Sequence, residues 1–331
     1  MTKPLQIYQP PYQLTDAMLS LVAEIAVFLG DWQRQSNSAL VPRLRRGNRI
    51  RTIQASLAIE QNTLTLAQVT AVLDGKPVIG QPREIQEVRN AFQAYEGLVK
   101  WQPEKLPHLL AAHARMMGGL ADDAGQLRQQ GVGIYRGKRL VHMAPPPSQV
   151  PRLMQDLLAW LNRTTAHPLI ASCAFHYELA FIHPFSDGNG RICRLWQTLI
   201  LSRWQPALAY LPVESVIKTK QAKYYQALAK ADAASDCSCF IEFMLSTIKA
   251  ALQQAVSNET TQETTQENPQ KTTQEKLLQL LRKAPQLTRD QLAVALSIST
   301  DGVKYHLQKL KAEGRIVRVG STKSGAWQVV N

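Results

Sequence analysis

The chain has 331 residues, 45% of them hydrophobic, which is more than one small core requires and points to two or three domains. Its formal net charge of +13 favours an anionic partner such as a nucleotide or nucleic acid, although many soluble proteins are basic without one. The four cysteines form no CxxC pair, no apolar run reaches the length of a membrane span, and the N-terminus lacks a signal-peptide pattern. A disulfide scaffold, a zinc module and a membrane span are thereby excluded, and the expectation is a cytoplasmic protein with no membrane partner.

In chain order, the pattern from Thr15 to about Ala251 is mainly helical, interrupted by Pro-marked segments at 77–82 and 144–151. A capping box of Thr65 and Gln68 opens one helix, and Asp74-Gly75 closes it. A second helix follows Ser148, with apolar anchors at Leu153, Leu157, Leu158 and Leu161. Between these helices lies GVGIYRGKRLVHM, residues 131–143, whose β-branched and aromatic residues flank Gly137-Lys138 and predict a hairpin. A lone hairpin on a helical body buries little, so it reads as a docking edge or flap. Its Gly133–Lys138 echo of a P-loop is one residue short and has Arg139 where Ser or Thr is required.

The stretch 257–270, SNETTQETTQENPQ, repeats a polar unit without apolar periodicity and reads as a linker. The tail 271–331 is strongly basic. Thr272 and Glu275 suggest a cap for its first helix, and Thr288 and Gln291 for its second. A third helix ends at Gly314, and the strands RIVRV and AWQVV flank the turn GSTKSG. This order resembles a winged helix-turn-helix, with Lys304, His306, Lys309 and Lys311 available to DNA on the third helix. Such modules also serve as protein-binding or dimerising units, and charge alone does not choose between these roles.

The chemistry is concentrated in residues 175–197, FHYELAFIHPFSDGNGRICRLWQ. A buried helix stopped by Pro184 leads to a glycine-bracketed loop, and Gly190 or Arg191 begins the next helix. A loop at a helix N-terminus presents unpaired N–H groups to an anion, and the helix dipole adds positive potential there. Asp187 supplies a hard oxygen for Mg²⁺, and Arg191 and Arg194 are spaced to turn toward one phosphate chain. His183, at the other lip, is the candidate base. His108, His113, His142, His167 and His176 show no metal-ligand spacing, and His176 reads as a satisfied core residue.

The gap-free string HPFSDGNGRICR, residues 183–194, resembles the signature of Fic-domain proteins at every fixed position. The resemblance extends from about residue 40 to about 250 and implies a mainly α fold: a Fic-type helical core with a β-hairpin flap, followed by the small winged domain. The implied domains are an N-terminal helical region at 1–110, a catalytic core at 111–255, a linker at 256–270 and the winged domain at 271–331. The implied activity is transfer of AMP from ATP, with Mg²⁺, to a Tyr, Thr or Ser hydroxyl of a target protein. His183 would be the base and Asp187 the metal ligand. Gly188, Asn189 and Gly190 would cradle the α- and β-phosphates, Arg191 would take the β-phosphate and Arg194 the γ-phosphate. Phe185 would hold the loop from the core, Tyr225 resembles the position lining the adenine pocket, and the 131–143 hairpin would dock the target by strand addition.

Upstream, Ser56 and Glu60 lie four apart in IQASLAIEQN, on one helical face. They resemble the family's inhibitory motif, which implies that Glu60 pairs with Arg194 and takes the fork meant for the γ-phosphate. Gln61 departs from the Gly or Asn that motif carries at its next position. Two further activities fit the same residues: removal of AMP, with Glu60 orienting a water, and nucleotide-sensing transcriptional regulation through the winged domain. A homodimer is compatible with a winged tail.

Overall fold

The structure, a computed structural model, describes residues 8–35, 41–136, 139–266, 273–296, 298–319 and 326–330. The chain divides into two units at Ser257/Asn258. The first contains α1 (Asp16–Gln35), α2 (Val41–Ile59), α3 (Leu66–Leu73), α4 (Pro82–Glu96), α5 (Leu106–Met117), β1 (Gly133–Arg136), β2 (Arg139–Met143), α6 (Val150–Arg163), α7 (Pro168–Ile182), α8 (Asn189–Trp204), α9 (Val213–Thr219), α10 (Gln221–Ala234) and most of α11 (Ser238–Gln266).

Helices α7 and α8 form the centre. Both are buried around their circumference, with every residue from Leu169 to Leu179 and from Arg191 to Leu201 buried, polar ones included. Pro168 occupies the first turn of α7, where a missing N–H costs nothing, and His167 Nδ1 accepts from Leu169 N at 3.2 Å as the cap. The helix closes at His183, whose backbone is left-handed (φ 51°), and Pro184 follows. α8 begins at Asn189, one residue before the earliest start read from the sequence, because Gly188 (φ 80°) turns the chain directly into the helix.

The Thr65–Gln68 capping box is present on α3. The hairpin pairs β1 and β2 antiparallel with a bulge at Ile134/Tyr135, and its turn at 137–138 lies outside the described residues. α2 packs beside α3, α4, α8 and α9, with Ile53, Leu57 and Ile59 buried. α11 continues through Gln266, so the first part of the polar stretch is helical where a linker is expected. Gln and Glu propagate an existing helix readily, and no helix breaker occurs there before Pro269.

The second unit holds α12 (Thr273–Lys283), α13 (Arg289–Leu296), α14 (Thr300–Ala312), β3 (Ile316–Val319) and β4 (Ala326–Val329). Leu277, Leu281, Leu292, Val303, Leu307, Leu310 and Ile316 make its core. Thr288 and Gln291 cap α13 reciprocally, Ser299 caps α14 through Gly302 N at 3.1 Å, and Trp327 N ties β4 to Pro285 O. Lys304, Lys309 and Lys311 of α14 are exposed and His306 is half-buried. Thr272 and the GSTKSG turn lie outside the described residues.

Candidate active site

The loop between α7 and α8 is held from its own ends. Asn189 is buried at the first position of α8; its Oδ1 accepts from Phe185 N at 3.0 Å and its Nδ2 donates to Phe185 O at 2.8 Å. This side chain therefore closes the loop from within. Phe185 is fully buried and stacks on His113 of α5, with ring centroids 3.7 Å apart and planes at 4°. His113 Nδ1 accepts from Gly125 N at 2.8 Å, so its proton sits on Nε2, which donates to Asp187 O at 2.9 Å. Burial lowers the pKa of His113 and keeps this imidazole neutral.

At the base lip, His183 Nδ1 faces Ala180 O at 3.3 Å. A carbonyl only accepts, so Nδ1 carries the proton and Nε2 keeps the basic lone pair. The His183 carbonyl accepts from Arg128 Nε at 2.7 Å.

At the phosphate lip, the first-turn amides of Asn189, Gly190 and Arg191 have no intrahelical acceptor. Asp187 is half exposed, and its Oδ1 accepts from Gly188 N at 2.6 Å and from Arg191 Nη2 at 3.1 Å. Arg191 Nη1 reaches Glu87 at 3.4 Å, while its Nε is buried with no hydrogen-bond partner. A buried orphan N–H beside free helix amides suits a phosphate oxygen. Arg194 is engaged from the α2 side, with its guanidinium beside Gly190. It is 2% exposed, and its Nε donates to Ser56 Oγ at 2.9 Å while Nη2 donates to Ser56 O at 3.0 Å and Glu60 Oε1 at 2.7 Å. The two arginines, read from spacing as a matched pair on one phosphate chain, are held by different partners.

The end of α2 explains how Glu60 is aimed. Gln61 N bonds Ala58 O at 3.1 Å, Asn62 N bonds Leu57 O at 3.1 Å, and Gln61 is left-handed (φ 71°). This is a Schellman motif, and its left-handed position is where Gly or Asn is least strained. The Gln61 departure therefore leaves the geometry in place at a cost in strain. Asn62 cannot substitute for it, being buried and bonded to Glu84 O and Glu87 Oε2. Glu60 Oε1 lies where a Cβ at Gly190 would stand, so glycine is required there while Glu60 is seated.

Tyr225 of α10 is 38% exposed and meets Tyr224 edge-on. Tyr224 is buried and bonds His176 Nε2 at 2.9 Å, and His176 Nδ1 meets Gln197 Oε1 at 2.6 Å, so His176 is a satisfied core residue. Burial pushes the His176 pKa down to about 4. Asp187 contributes one carboxylate, and among the described residues no group of three or more His, Cys, Asp or Glu is arranged around a metal. One carboxylate beside a phosphate site is the set Mg²⁺ uses when phosphate oxygens complete its shell.

Residues 103–201 match the Fic/DOC family, and 270–317 match a winged helix-turn-helix DNA-binding family. A crystal structure of a Fic family protein from Desulfovibrio desulfuricans is 49% identical, covering 98% of this chain and 99% of that one at a TM-score of 0.75. The chain belongs to the Fic family. The protein adenylyltransferase Fic of Drosophila erecta is 33% identical over 229 residues, which are 66% of this chain and 44% of that protein, so less than half of the curated relative is spanned. Fic-1 of C. elegans, 24% identical over 74% of each chain at a TM-score of 0.59, shares the fold.

Within this Fic protein the structure brings His183, Asp187, Gly188, Asn189, Gly190, Arg191, Arg194, Ser56 and Glu60 around one loop. Sequence reasoning missed His113, Glu87 and Arg128. Spacing tests His113 only as a metal ligand, and all three act across long sequence separations that no local motif records. No helix among the described residues is long and apolar enough to cross a membrane.

Proposed function

We propose that this Fic protein transfers AMP from ATP to a Tyr, Thr or Ser hydroxyl of a target protein, and that Glu60 restrains it. The observation that carries the reading is the Arg194–Glu60 pair at 2.7 Å, directly over the Gly190 backbone of an otherwise intact phosphate site. His183 Nε2 takes the proton as the target hydroxyl oxygen forms its bond to the α-phosphorus. The bond from the α-phosphorus to the bridging oxygen breaks, and pyrophosphate departs with that electron pair. The amides of Asn189, Gly190 and Arg191, with the Arg191 guanidinium, stabilise the growing negative charge. Mg²⁺, held by Asp187 and phosphate oxygens, would neutralise part of the triphosphate charge. Tyr225 lies against the adenine, and the 131–143 hairpin holds an extended target segment by strand addition. With Glu60 seated, ATP lacks the Arg194 fork and its phosphates are misaligned for attack.

The test is incubation with ATP labelled at the α- or γ-phosphate, cell lysate and Mg²⁺. Label should enter protein from the α-position only. It should rise about 100-fold in Glu60→Gly, as expected for a restored phosphate donor, and fall about 100- to 10,000-fold in His183→Ala, as for a lost general base. Label from the γ-position alone would overturn AMP transfer. Release of AMP from labelled protein, with no net addition, would favour hydrolytic removal of AMP, in which Glu60 orients the attacking water.

A second reading concerns the C-terminal unit. The exposed Lys304, Lys309 and Lys311 on α14, together with its winged-helix family match, support DNA binding. Salt-dependent binding to duplex DNA that persists in His183→Ala would support a regulator. Loss of binding in that variant would count against an independent DNA function.

A further inference from the structure

The Arg128 side chain takes no part in the chemistry above, yet it is 2% exposed and lies beneath the candidate base. Its donors all point at backbone carbonyls. Nε donates to His183 O at 2.7 Å, Nη1 to Gln130 O at 2.8 Å, and Nη2 to both Pro145 O and Ile182 O, the latter at 3.4 Å. Its own backbone N donates to Pro184 O at 2.9 Å.

These acceptors belong to two functional segments. Ile182 and His183 are the last carbonyls of α7, which lack intrahelical partners and carry the negative end of the helix dipole, so a guanidinium satisfies both needs there. Gln130 and Pro145 stand just before β1 and just after β2, at the two roots of the hairpin. One rigid, planar fork therefore fixes the backbone of the base and both ends of the hairpin together. His183 is held in a left-handed conformation that costs free energy and persists only where its surroundings over-determine it. Arg128 is a large part of that surrounding.

The phosphate lip has separate supports: the Asn189 clasp on Phe185 and the His113 bond to Asp187 O. Arg128 touches neither. We infer that Arg128 is a positioning residue that registers His183 against a target strand docked on the hairpin, leaving the nucleotide side to the other scaffold. This inference rests on the AMP-transfer reading for its activity arm.

The experiment compares Arg128→Ala and Arg128→Lys in the full-length Glu60→Gly protein. Three quantities are read: ATP affinity with Mg²⁺ by titration, the labelling rate at saturating ATP, and backbone amide hydrogen exchange. Arg128→Ala should bind ATP within about twofold of its parent while labelling about 100-fold more slowly, the loss expected when a reacting group is displaced by about 1 Å. Amides of 131–136, 139–144 and 183–186 should exchange faster together, while those of α2 and α8 keep their protection. Arg128→Lys, which keeps the charge but cannot bridge all the carbonyls, should recover part of the rate. Millimolar methylguanidine should restore part of the rate to Arg128→Ala. Parallel loss of ATP affinity, faster exchange throughout the unit, or no change in exchange at the hairpin would each overturn the inference. If the parent itself fails to label, the AMP-transfer reading falls, while the exchange pattern still tests the coupling.

Discussion

Three arginines around the α7–α8 loop and three lysines on α14 of the winged unit sit in opposite environments. Arg128, Arg191 and Arg194 are buried, and each is held by carbonyls, a hydroxyl or carboxylates at defined distances. Lys304, Lys309 and Lys311 stand in solvent on one helix. The same net charge of +13 thus contains two kinds of positive charge. Buried guanidinium groups fix geometry, because losing a partner leaves a desolvated ion. Exposed ammonium groups carry little structure and respond to salt and to a polyanion.

Four measurements break or sharpen that contrast. The largest effect is expected for Arg194→Ala, which strips Ser56 and Glu60 of their buried partner. It should cost about 3–5 kcal/mol of stability, read by denaturant unfolding, and abolish labelling even with Glu60 replaced by Gly. A loss below about 1 kcal/mol would mean that the buried pair is not fixing this region. The triple change of Lys304, Lys309 and Lys311 to Ala should leave the labelling rate intact and shift unfolding by no more than about 0.5 kcal/mol. If the winged unit binds duplex DNA, that variant should lose about three units of slope of log affinity against log salt. An unchanged slope would remove α14 from the DNA-facing surface.

A buried carboxyl hydrogen-bonded by a neutral hydroxyl gives the next test. Burial raises the Glu178 pKa from 4.5 to about 7, against the Tyr8 hydroxyl bond that favours the ionised form. A raised folded-state pKa means the folded state holds its proton longer, so stability falls as pH rises from about 4.5 to about 7. Glu178→Gln should flatten that decline by about 3 kcal/mol across the window. Equal pH profiles for the two proteins would refute the assignment. A modest gain belongs to Gln61→Gly, which relieves a left-handed side-chain residue and should add about 1 kcal/mol, seen as a higher Tm.

Much of this was legible from local pattern. Thr65 with Gln68, the apolar spacing of 153–161 and the loop 183–194 all declare themselves within a few residues, because caps, amphipathic faces and anion-binding turns are short-range devices. The Ser56–Glu60 spacing was equally local. What stayed hidden depends on contacts across the chain: Arg128 meets His183 55 positions away, and His113 meets Asp187 74 positions away. Spacing alone does not name the partners of Arg191 and Arg194, since three residues on a helix fix direction at the backbone but not the group each long side chain finds. The helical continuation to Gln266 was missed because polar composition looks the same in a linker and in a solvated helix.

If Glu60 restrains transfer as proposed, the overlap of its carboxylate with the space above Gly190 limits how that restraint could change over generations. A side chain acquired at 190 would evict the carboxylate, but it would also fill the space that a phosphate needs beside the α8 amides. Inherited release of the restraint through that position is therefore self-defeating. Under the proposed reading, losing the acid on α2 would leave a permanently active protein, whereas losing the glycine on α8 would leave a silent one.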